Sequence, residues 1–72
     1  MGHDDIQELD DYLESITEGN AWTRFSKIQE MIRIRLFGGI DPSTENDRSR
    51  HAKMLEYVSK RLGLQRNAES SL

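Results

Sequence analysis

Two pairs of adjacent acids, Asp4-Asp5 and Asp10-Asp11, and a histidine beside two arginines, Arg48-Ser49-Arg50-His51, are the stretches whose residue types could do chemistry. Paired carboxylates can hold a cation or divide acid and base work between them. Adjacent residues on a helix point about 100° apart, however, and no His or Cys joins either pair. Neither pair has the spacing of a calcium loop, with its central glycine and terminal Glu. Both read as a solvated acidic face. His51 is of a side-chain type that can bind a metal or carry a proton. Its only fellow is His3, far off in sequence, so it reads as a boundary or interface residue rather than a ligand. Ser26, Ser43, Ser49 and Ser59 have no nucleophile-elbow context. Gly38-Gly39 lacks the preceding strand and following lysine of a phosphate loop. These residues predict no enzyme, no metal site and no cofactor.

The basic residues form a second group: Arg24, Lys27, Arg33 and Arg35, then Arg48, Arg50, Lys53, Lys60 and Arg61. A helix-turn-helix reader of DNA would put Arg48, Arg50 and Lys53 on phosphate. Three features oppose it. The stretch from Gly38 to Ser43 exceeds the usual 3–4-residue turn. Glu45 and Asp47 sit at the amino end of the candidate recognition helix, where phosphate must approach. The pI is about 5.3, not that of a basic domain. DNA binding therefore ranks second.

The elements that must position these residues are helices. A chain of 72 residues without cysteine is one domain at most, and it has no disulfide to stiffen a small core. In the first predicted helix, 4–17, Ile6, Leu9, Tyr12, Leu13 and Ile16 fall on one stripe. Asp4 or Asp5 would cap its start, and Gly19 would close its end. Asn20 caps a second helix, 21–37, stopped by Gly38-Gly39. The third, 43–62, starts at Asp41-Pro42 or at a later Ser43 or Thr44 cap, and Gly63 ends it. Residues 65–72 read as a disordered tail, leaving a helical domain over 1–64. No stretch alternates at period two, so the fold class is all-α, a small three-helix bundle whose short connections favour antiparallel neighbours. No apolar run approaches the ~20 residues of a membrane span. With no cysteine and an acidic start, the expectation is a cytoplasmic protein.

Charge and apolar surplus carry the functional expectation. The first nineteen residues hold seven acids (Asp4, Asp5, Glu8, Asp10, Asp11, Glu14, Glu18) and no Lys or Arg, while all ten basic residues follow. Such an acidic helix would pack on the basic flanks of its neighbours or present its stripe to a partner. In the second helix, Ala21, Trp22, Phe25, Ile28, Ile32 and Leu36 make one stripe roughly 120° wide. Met31, Ile34 and Phe37 lie outside it, and Tyr57 lies off the inner face of the third helix. Trp22, Met31, Ile34, Phe37 and Tyr57 are therefore the candidate interface residues, because monomers seldom leave large apolar patches uncovered. The expected protein is a homodimer that also docks on a larger protein as a regulator, adaptor or inhibitor. A structural subunit of a larger assembly is the third class.

Overall fold

Helix α1 spans His3–Ser15, α2 Ala21–Leu36 and α3 Glu45–Leu62 in a computed structural model that describes residues 2–64. The described residues contain no strand, as the absent period-two pattern predicts. The tail predicted over 65–72 lies outside them. Each helix packs on both others. The described residues measure 31 × 29 × 22 Å, close to the roughly 27 Å of α3 alone, so the helices lie side by side rather than end to end.

The core takes one stripe from each helix. Leu9, Tyr12 and Leu13 come from α1, Ile28 and Ile32 from α2, and Met54 and Val58 from α3. The i, i+4 spacing within α2 and α3 stacks each pair one turn apart on the buried side. Phe25, Met31, Leu36, Leu55 and Leu62 are half-buried around this centre.

The caps decide the boundaries, and two differ from expectation. Asp4 and Asp5 lie inside the first turn of α1, where acids suit the dipole, and Gly2 precedes the helix without a side-chain cap. At its other end α1 stops at Ser15, before Gly19, because Ile16 turns to extended backbone (φ −98°, ψ 92°). Gly19 instead shapes the link to α2. Its φ is +90°, and a β-carbon there would lie 2.8 Å from Thr23 Cγ2. Asn20 caps α2 as expected, its Oδ1 accepting from Thr23 N–H at 2.9 Å. Thr44 caps α3 through Asp47 N–H at 3.1 Å, so the later of the possible starts is the one used. Gly63 (φ 77°) closes α3, with Leu64 N–H donating to Ser59 O at 2.9 Å.

Trp22, which the sequence places at the edge of the core stripe and also among the interface candidates, is 59% exposed. It lies about 120° around the helix from Ile28, at the stripe's very edge, and its ring stands edge-on to Phe25 at 6.4 Å instead. Ile34 and Ile40 are both exposed. The turn after α2 is closed by polar groups: Gly39 N–H donates to Arg33 O at 2.8 Å, and the Arg33 guanidinium donates to Gly39 O and to Glu30.

Candidate interaction surface

The five apolar candidates are not brought together as one patch. Met31 is half-buried against the core. It lies only about 60° from Ile28, and packing against two neighbours widens the buried arc of α2 enough to include it. Phe37 follows the last residue of α2 and packs within the chain. Its ring meets His51 edge-on at 5.4 Å and carries the Arg50 guanidinium at 5.4 Å. Tyr57 is half-buried, and its hydroxyl donates to Asp10 Oδ1 at 2.6 Å. Trp22 and Ile34 stay outside, about 120° apart on α2 and some 18 Å apart along its axis. Among the described residues they are, with Ile40, the exposed large apolar side chains.

The acidic helix is docked, and charge docks it at three places. Arg50 forks onto Asp5, Nε to Oδ2 at 3.0 Å and Nη2 to Oδ1 at 2.7 Å. The hydrogen bond from Arg50 holds the Asp5 carboxyl below the usual aspartate range, and the same bond raises the arginine further above its ordinary value. Lower on the same seam, Arg61 Nη1 donates to Asp10 Oδ1 at 2.6 Å and to the Tyr57 oxygen at 2.8 Å. The third contact closes the carboxyl end of α1. Arg24 donates from Nε to Ile16 O at 2.8 Å and from Nη2 to Leu13 O at 3.0 Å. It supplies the cation that the last turn of α1 lacks. Beneath these contacts, Tyr12 is buried and donates to Glu8 at 2.6 Å. Burial, reinforced by that bond, pushes its phenol well above the ordinary tyrosine value.

Sequence reading pointed to this docking only through the split of charge. It did not find Arg24, Asp5 and Asp10 as the residues responsible. Arg50 and Arg61 meet acids 45 and 51 positions away, and no local pattern encodes such a distance.

The three candidate phosphate contacts stand apart. Arg50 is committed to Asp5 and Phe37, whereas Arg48 and Lys53 are exposed and make no ion pair among the described residues. Arg48 lies about 160° around α3 from Arg50, so the two cannot face one phosphate track. An open cleft of about 320 Å³ lies between the end of α2 and the start of α3, with Phe37, Asp41, Asp47 and Arg50 among the residues lining it. Among the described residues no three His, Cys, Asp or Glu side chains gather as a metal site. No described helix is long and apolar enough to cross a membrane. The chain matches no known family, no characterised protein and no solved structure with which it was compared.

Proposed function

We propose that this chain is a small, non-enzymatic interaction module of the cytoplasm that works as a homodimer and occupies a surface of a larger protein. Within it the sequence-adjacent helices run antiparallel. Arg24 near the start of α2 reaching the end of α1, and Phe37 after α2 meeting His51 early in α3, support that order. One observation carries the functional reading: Trp22, the only tryptophan, is 59% exposed beside a half-buried Phe25. Tryptophan is the residue type most often found as an energetic anchor of protein contacts. A core built from seven buried apolar residues, without a disulfide, also gains from a second copy. Of the five candidates, Met31, Phe37 and Tyr57 spend much of their apolar surface inside one chain, which leaves Trp22 and Ile34 for a partner.

Light scattering coupled to size separation, over roughly 1–100 μM protein, tests the dimer. A mass of two chains that falls towards one on dilution is expected, with Trp22→Ala weakening association about tenfold or more. A mass of one chain across the range sinks the reading. The rival DNA-reading role keeps only Arg48 and Lys53 uncommitted, and no observation favours it.

A further inference from the structure

We infer that the cleft between the end of α2 and the start of α3 receives a lysine or arginine side chain, flanked by apolar residues, from a segment of the larger protein. This rests on the reading above that the chain docks on another protein, and not on the homodimer.

The turn from α2 to α3 builds the site. Gly38 and Gly39 both take positive φ, 66° and 83°, and the turn they make brings Ile40, Asp41 and Pro42 around the same cleft as Phe37. Its volume of about 320 Å³ is at the lower end of pockets that take small ligands, so it has room for a side chain and not for a helix. Phe37 and Pro42, both half-buried, supply apolar wall. Ile40 adds to it, and at 71% it is the most exposed large apolar side chain among the described residues.

Charge selects the occupant. The charged side chains lining the cleft are Asp41, Asp47 and Arg50. Arg50 is already committed: it forks onto Asp5 at 2.7 and 3.0 Å and lies over the Phe37 ring. The two carboxylates have no such partner, since among the described residues neither forms an ion pair. Asp47 acts on Arg50 only as a second acid after Asp5. Arg33, the further cation that feels Asp41, is bonded to Glu30 and to the Gly39 carbonyl. Around the cleft the four acids Asp5, Glu30, Asp41 and Asp47 thus face two bases, Arg33 and Arg50, and two negative charges are left over. The amino end of α3 is positive, but Thr44 Oγ1 takes its Asp47 N–H, and Glu45 and Asp47 lie in its first turn. An anion would meet both free carboxylates, and a purely apolar group would cover them unpaired. A lysine or arginine satisfies both halves of the site, with its charged head at the carboxylates and its aliphatic stem on Phe37, Ile40 and Pro42.

The probe is the capped tripeptide leucyl-arginyl-leucine, compared with its glutaminyl and glutamyl counterparts and followed by the amide chemical shifts of the full chain. The arginyl peptide should give saturable shifts gathered over residues 36–50, with the other two bound about fivefold or more weakly. The double change Asp41→Asn, Asp47→Asn, shown helical by circular dichroism, should reduce the arginyl peptide to the level of the glutaminyl one. Asp11→Asn with Glu14→Gln, on the exposed acidic face of α1, should leave its binding unchanged. Shifts centred on that α1 face, equal binding by all three peptides, or no saturable shift up to roughly 10 mM would each overturn the assignment. So would full affinity in the Asp41, Asp47 double variant. A change of solution mass in that variant would seat a second copy in the cleft and overturn it too. A one-chain mass for the parent removes the homodimer and leaves the cleft standing, so the two readings fail separately.

Discussion

Replacing Arg24 by Ala removes two hydrogen bonds, at 2.8 and 3.0 Å, that hold the last carbonyls of α1. Bonds from a charged donor contribute about 1.5–3 kcal/mol each. These are only partly buried, and water replaces some of what is lost, so the pair together is worth about 2 kcal/mol. A cation at the negative end of a helix adds about 0.5 kcal/mol, and the last turn of α1 has no basic residue of its own. Arg24→Ala should therefore cost about 2–2.5 kcal/mol and lower Tm by about 10 °C or more for a domain this small. Lysine keeps the charge but not the two-pronged geometry, so Arg24→Lys should recover less than half of the loss. Urea unfolding followed by circular dichroism measures both, at one fixed protein concentration because association also stabilises the fold. Amide exchange should show the protection lost mainly in α1. If Arg24→Ala unfolds within about 0.5 kcal/mol of the parent, the cap contributes nothing beyond an ordinary surface residue. If Arg24→Lys restores full stability, charge alone explains the contact and the geometry does not.

Gly19→Ala should cost about 1–2 kcal/mol, more than Gly38→Ala, because both glycines have positive φ but only Gly19 is crowded. Equal losses in urea unfolding would show that the 2.8 Å approach to Thr23 relaxes freely. Asp5→Asn should cost on the order of 1 kcal/mol at neutral pH, since the pair with Arg50 is partly solvated. The Asp5 carboxyl titrates lower folded than unfolded, so its stabilisation is present above the ordinary aspartate value and is lost as pH falls through the depressed one. The two unfolding curves should converge in acid, and a gap that does not narrow as pH falls would contradict the ion pair.

The sequence announces its helices wherever the signal is local. Asn20 caps α2 within three residues, and Gly63 ends α3 where the apolar period stops. The end of α1 is not local. Its closing group is Arg24, eight residues beyond Ile16, so a nearby glycine was the more visible but mistaken stop. Met31 falls inside and Trp22 outside for a related reason. A stripe centred on Ile28 and Ile32 admits both at its margins, and only the positions of two neighbouring helices decide which margin is covered. Phe37 could not be assigned from helical angle at all, because it follows the last helical residue and turns with the chain towards His51. The candidate surface was legible in residue type and not in arrangement.

The joints between Asp5 and Arg50 and between Asp10 and Arg61 close loops that take in most of the chain. A ribosome adding about 5–20 residues per second makes Arg50 roughly 2–9 s after Asp5. For that interval the stripe of Ile6, Leu9, Tyr12, Leu13 and Ile16 lacks α3, one of the two helices it packs against. The seven acids of the opening segment surround it meanwhile, and their mutual repulsion keeps one newborn chain from sticking to the next. The carboxylates that later fasten α1 thus first serve as its solubilising coat, and two of them change duty when the last helix arrives.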